Sequence, residues 1–161
     1  MAAIELTQEI VKFLKKINET YDNKNEKKTA VVEGFIPDIA HMRDLEKFCP
    51  RIIVRAYQIE DSDKDLSGGV ANIKVIITFL TYAETDEDAY LLIYNWVEKN
   101  RRALLKYRHL GAYVLMLPMT TRILDEDNQP RPMWGAYIEA TYQTVSIEEE
   151  GLIEDEYGYE V

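Results

Sequence analysis

The chain has 161 residues, 47% of them apolar, which is enough for one ordinary domain with its own core, and a second domain is not expected. No apolar run approaches the ~20 residues that span a bilayer, and a single cysteine, Cys49, excludes an internal disulfide. The formal charge is −10 at pH 7, and neither the body nor the acidic end offers the basic stripe that grips a nucleic-acid backbone, which disfavours tight binding to one.

The charge is unevenly placed. From Glu148 to Val161 the chain carries Glu148, Glu149, Glu150, Glu154, Asp155, Glu156 and Glu160 and no lysine or arginine. Taking those seven acids from the total of 29 leaves 22 against 19 basic residues, so the body is nearly balanced at −3. We expect 1–147 to form one domain and 148–161 to be an acidic tail or partner arm, because that stretch has too few core formers to fold alone. The opening MAAIELTQEI has neither a basic flank nor a long apolar stretch, so the product is expected to stay where it is made. The lone cysteine agrees with a reducing compartment.

In chain order, Thr7 reads as a helix N-cap, with Ile10, Leu14, Ile17 and Tyr21 following at helical steps on one face. YDNKNEKKT is a polar loop. In AVVEGFIPDIAHMRDLEKFCP, Gly34 and Pro37 interrupt regular structure and leave room for a short strand and one helical turn. From Arg51 the period changes to two. Ile53, Tyr57 and Ile59 fall on one side of a strand, and Ile52, Val54 and Ala56 on the other. Between Val70 and Tyr82, Ala71, Ile73, Val75, Ile77 and Phe79 face one way and Asn72, Lys74 and Thr78 the other. DSDKDLSGG joins these two strands as an extended hairpin.

The strongest helix signal follows. Thr85 and Asp88 have capping-box spacing, Asp86 and Glu87 suit the positive end of the helix dipole, and Lys99, Arg101, Arg102 and Lys106 suit the other end. Its core stripe is Ala89, Leu92, Ile93, Trp96 and Val97, yet Tyr90, Leu91 and Tyr94 make the first turns apolar nearly all round. Two readings are open: the helix is simply buried, or a neighbouring subunit covers the extra face, which makes Tyr90, Leu91 and Tyr94 a candidate subunit interface. Tyr113 to Leu117 reads as a strand ended by Pro118, and Met119 to Leu124 as another. DEDNQPRP is a turn region. Trp134 to Val145 closes the domain as a long strand, with Trp134, Ala136, Ile138, Ala140 and Tyr142 on one face. The sum is an α+β fold, a mostly antiparallel sheet packed by an N-terminal helix and a long central one.

Chemistry finds little purchase. Asp61, Asp63 and Asp65 alternate as calcium ligands do, but Leu66 stands where the loop needs glycine and Asn72 where it needs a bidentate acid. A solvated acidic loop is the better reading. Gly68 and Gly69 do not lead into a phosphate-binding helix. His41 among Asp38, Asp44 and Glu46 reads as a surface histidine, and His109 as a cation at a helix end. No serine or cysteine has a base beside it, so neither an enzyme nor a cofactor or metal is expected.

Four segments carry a family resemblance: Pro50-Arg51-Ile52-Ile53-Val54-Arg55, the strand Ala71 to Phe79 after a polar loop, the helix Asp86 to Leu105, and Gln129-Pro130-Arg131-Pro132-Met133-Trp134-Gly135-Ala136-Tyr137-Ile138. Together, over Phe48 to Ile147, they resemble the tail terminator, or tail-to-head joining, family of minor tail proteins in tailed bacteriophages. The chain departs from that family in its acidic end and in Trp134 before the glycine. The resemblance implies a virion protein assembled in the bacterial cytoplasm, a hexameric ring that caps the tail tube, ends its polymerisation and meets the head connector or a stopper protein. Genomic DNA would pass through without specific binding. On this expectation the Asp61, Asp63 and Asp65 loop lines the bore or meets a partner, and Glu148, Glu149, Glu150, Glu154, Asp155 and Glu156 form a partner arm. Another neck protein, or a small enzyme or ligand-binding domain, are the competing expectations.

Overall fold

The computed structural model describes residues 2–19, 28–38, 42–63 and 69–144. Helix α1 (Ala2–Glu19) is followed by β1 (Ala30–Glu33), the single turn α2 (Leu45–Phe48), β2 (Arg51–Asp63), β3 (Gly69–Tyr82), the long α3 (Asp86–Lys106), β4 (His109–Leu110), β5 (Tyr113–Ile123) and β6 (Met133–Thr144). Among the described residues the strands form one six-stranded sheet in the order β1-β2-β3-β6-β5-β4. β1 runs parallel to β2, and every other pairing is antiparallel.

The alternation that makes strands also builds the core. Successive rows across the sheet place Ile52, Phe79 and Ala136 side by side, then Val54, Ile77 and Ile138, then Ala56, Val75 and Ala140. Nearly all of these are buried, since a period of two sends one set of side chains to one face. Leu6, Ile10 and Leu14 of α1 and Ile93, Trp96, Val97 and Leu104 of α3 cover that face. Phe79 meets Trp96 edge to face, with ring centroids 5.4 Å apart. Each fully buried large aliphatic side chain contributes about 1.5–3 kcal/mol of transfer free energy, so this one layer carries most of the hydrophobic stabilisation.

α1 packs against β1 and β2 at one end of the strand order and against β4 at the other, so the sheet curls around it. Beside that second contact, the hydroxyl of Tyr113 at the start of β5 donates to the Glu5 carboxylate at 3.1 Å. The outer face of the sheet is covered at one end, where Leu45 and Phe48 of α2 pack over Cys49, Ile53, Leu80 and Met133.

Four sequence expectations are corrected. α1 already begins at Ala2, so Thr7 is not its cap; the Thr7 hydroxyl lies 2.8 Å from a Glu33 carboxylate oxygen and 2.9 Å from the Ile4 carbonyl, tying the helix to β1. Tyr113 to Leu124 is not two strands: β5 runs on through Pro118, and its register against β6 slips between Met116 and Thr120, where a residue lacking an N–H costs no ladder bond. Ile59 does not share a face with Ile53. A bulge between Ala56 and Gln58 inserts one extra residue, after which Ile59 pairs with the buried Ile73 on the inner face. His109 does not simply end a helix: with Leu110 it forms β4, too short to show a period in the sequence. Tyr21, expected on the α1 stripe, lies outside the described residues.

Candidate interaction surface

α3 begins where its sequence says it should. Thr85 is the N-cap, and its hydroxyl accepts from the Asp88 amide at 3.3 Å, with Asp86, Glu87 and Asp88 in the first turn. From there Ala89, Ile93, Trp96, Val97 and Leu104 turn inward and are buried. Tyr90, Leu91 and Tyr94 do not. They are 60%, 62% and 46% exposed, so the reading of a helix buried all round fails for the chain on its own. Tyr90 and Tyr94, one helical turn apart, hold their rings 4.6 Å apart at 37°, a tilted stack that presents one continuous aromatic surface.

Across from this stack lies the end of β5 and the turn after it. Between the two a cleft of about 410 Å³ is lined by Tyr90, Ile93 and Tyr94 on the helix side and by Ile123, Leu124 and Trp134 opposite, with Asp86 and Asp125 at its rim. The far wall is rigid for a local reason. The Gln129 side chain donates to the carbonyls of Leu124 at 2.7 Å and Gly135 at 3.2 Å and accepts from the Gly135 amide at 2.6 Å, closing the turn between β5 and β6. The Trp134 indole donates to the Ala83 carbonyl at 3.1 Å, and the Arg131 guanidinium lies over its ring. At Gly135 a Cβ would come within 3.3 Å of Leu124, so the small residue lets Leu124 sit down against the sheet.

These wall residues are not legible as a site from spacing alone. Gln129, Trp134 and Gly135 stand in the most telling run of the family resemblance, and their structural part is now plain: the run is a clamped turn forming one side of the cleft. The other residue that sequence reasoning passed over is Phe35, 81% exposed, which follows Gly34 just after β1. A Phe-Ile-Pro run directly after a strand-ending glycine was the available signal.

The acidic hairpin is placed in part. Asp61 is paired with Ala71 and Asp63 with Gly69, so both belong to strands and not to a loop. The β3 pairing with β6 begins only at Asn72, opposite Gln143, so this end of the hairpin projects past β6. Asp65 lies outside the described residues, as do Glu148, Glu149, Glu150, Glu154, Asp155 and Glu156. Tyr90, Leu91 and Tyr94 are thus brought together into one surface, and the hairpin acids stand apart from it. Among the described residues no helix is long and apolar enough to cross a membrane.

The class defined by fold and surface is an α+β domain whose main helix exposes an aromatic face beside a cleft of mixed apolar and polar lining. No protein-family profile matches the chain, and no curated protein matches it. Among solved structures it is similar to a chain described as "Virion of native gene transfer agent (GTA) particle", with a TM-score of 0.35 and 14% identity, covering 71% of this chain and 76% of that one.

Proposed function

We propose that this protein is a structural component of a phage-like virion, which assembles as a ring at the head-proximal end of a tail tube, ends tube polymerisation and joins the tail to the head connector. The observation that carries the self-assembling part is the exposed Tyr90, Leu91 and Tyr94 on a helix whose other face is fully seated. Contiguous apolar surface of this kind on a small domain marks a protein contact. The place in the virion is supported by the sequence resemblance alone, over Phe48 to Ile147. The partners on this reading are further copies of the chain in a hexamer, the tail tube protein, and a connector or stopper protein, with no catalytic step.

Light scattering and negative-stain imaging of the purified chain, alone and with tail tubes, test the reading. Rings, free or seated on tube ends, are the expected result; a monomer that ignores the tube contradicts it. A second reading, a small ligand-binding domain, draws on the same cleft, because about 410 Å³ falls in the range of small-molecule sites. It predicts a monomer that co-purifies with a small molecule, detectable by native mass spectrometry.

A further inference from the structure

We propose that the cleft beside Tyr90 and Tyr94 is filled by Phe35 and Ile36 of a second copy of this chain. The inference rests on the ring reading and names which part of the neighbour occupies the surface.

Phe35 is held out by its backbone. Gly34 follows β1, its amide donating to the Val54 carbonyl at 3.0 Å, so the base of the protrusion is fixed to the sheet. Its φ of 134° belongs to a region that side-chain-bearing residues avoid, and this turn directs the next residues away from the strand. Pro37 then restricts the backbone of Ile36 as well as its own. Phe35 and Ile36, 81% and 48% exposed, are therefore a preorganised apolar knob, which loses little conformational freedom when it docks.

The cleft complements this knob in shape, polarity and charge. Tyr90, Ile93, Tyr94, Ile123, Leu124 and Trp134 supply its apolar lining beside the polar Gln129, and its volume of about 410 Å³ accommodates an aromatic ring and an aliphatic side chain. The Arg55 guanidinium lies 5.4 Å from the Phe35 ring centroid, so the knob brings a cation with it. At the rim of the cleft stand Asp86 and Asp125, with exposed Glu87 and Asp88 in the same helical turn as Asp86. Arg131, over the Trp134 ring, pairs with Asp86 at 3.7 Å, whereas Asp125, Glu87 and Asp88 add further negative charge around the opening.

The knob and the cleft lie apart in the strand order, and neither Phe35 nor Ile36 lines the cleft of its own chain. The knob extends from β1 at one edge of the sheet, whereas the cleft lies over β5 and β6, with β2 and β3 between. A head-to-tail contact between two different patches is heterologous: an open series keeps one free knob and one free cleft at its ends until it closes into a ring. Two separate complementary surfaces on one chain are what a ring requires and what a two-fold dimer does not.

A photo-crosslinking residue placed at position 35 of the full chain tests the inference. Irradiation should give covalent dimers whose adducts map, by mass spectrometry, to the first turns of α3 or to Ile123, Leu124 and Trp134. Phe35→Ala should weaken self-association by ~30-fold or more, as for a central interface anchor, with the thermal midpoint of the lone chain unchanged. Arg55→Glu should weaken it too, and Asp125→Arg in the same chain should restore part of the loss. Adducts outside the cleft, or undiminished association of Phe35→Ala, overturn this inference while wild-type rings leave the ring reading standing. A wild-type chain that stays monomeric, alone and with tubes, overturns both. A small molecule seated in the cleft overturns the inference as well.

Discussion

Asn18 of α1 and Asn100 of α3 hold each other inside the core. The Asn18 amide nitrogen donates to the Asn100 oxygen at 2.8 Å and to the Leu14 carbonyl at 2.7 Å, while the Asn18 oxygen accepts from the Trp96 indole at 2.8 Å. Asn100 donates back to the Trp96 carbonyl at 2.9 Å. Both asparagines are buried, so the polar groups are satisfied within one network that fixes the two helices in register. Because α3 carries the aromatic surface, the same network sets how that surface stands relative to α1.

Asn18→Ala should therefore cost more than its size implies. It strands the Trp96 indole N–H and the Asn100 oxygen in a dry core, and each unsatisfied group costs about 1–3 kcal/mol. We expect a loss of about 3 kcal/mol in urea unfolding, and a double change with Asn100→Ala that costs less than the sum of the two singles. Additive effects would mean the two residues do not act as a unit.

Tyr90, Leu91 and Tyr94 should behave in the opposite way to Trp96. Alanine at each of the three should change the unfolding free energy of the lone chain by less than about 0.5 kcal/mol, as exposed positions do. Trp96→Ala, which removes a ring packed on Phe79, should cost ~3–5 kcal/mol. Self-association should fall in the first three variants. If Tyr90→Ala or Tyr94→Ala unfolds the monomer instead, the face is structural and no partner need be invoked.

The elements with a long, clean period were legible: β3, β6 and the inward stripe of α3 are where alternation and helical spacing placed them. What sequence missed was decided by partners far along the chain. Thr7 has the chemistry of a cap but serves Glu33 on β1, and the bulge beside Tyr57 reverses the face of Ile59 without any glycine to announce it. Pro118 reads as a strand end, although it stands where the β5 ladder to β6 is already broken. The aromatic residues of the candidate surface could be named from the excess of apolar side chains on α3, whereas the opposite wall at Ile123 and Trp134 depends on tertiary folding.

Tyr113 gives a pH signature. Burial first, then its hydrogen bond to Glu5 and the negative charges of Glu5 and Glu9, push the phenol from its ordinary 10.0 up to about 12. The folded state thus holds this proton more tightly than the unfolded chain. Its contribution to stability is fully present below pH about 10 and is lost as pH rises through about 12. Tyr113→Phe should remove one late-titrating tyrosine from the ultraviolet titration and flatten the alkaline fall in stability across that window. An unchanged titration curve would place the late phenol elsewhere, with Tyr142, also pushed up by burial, the first alternative.

On the proposed function the end of the β2–β3 hairpin faces passing DNA, where like charge keeps the duplex from sticking. Asp61 is exposed on a strand that projects past β6, and Asp63 is paired with Gly69 near the tip, so exchanging Asp61, Asp63 and Asp65 for lysine should leave the fold and the ring intact. Thermal unfolding and imaging check that much. Rings of the variant should then bind duplex DNA with an affinity that falls steeply with salt, since each neutralised phosphate releases counterions, while wild-type rings bind none at physiological ionic strength. Particles built with the variant should release their genome more slowly. Normal release from particles that carry the lysines would remove this hairpin from the DNA path.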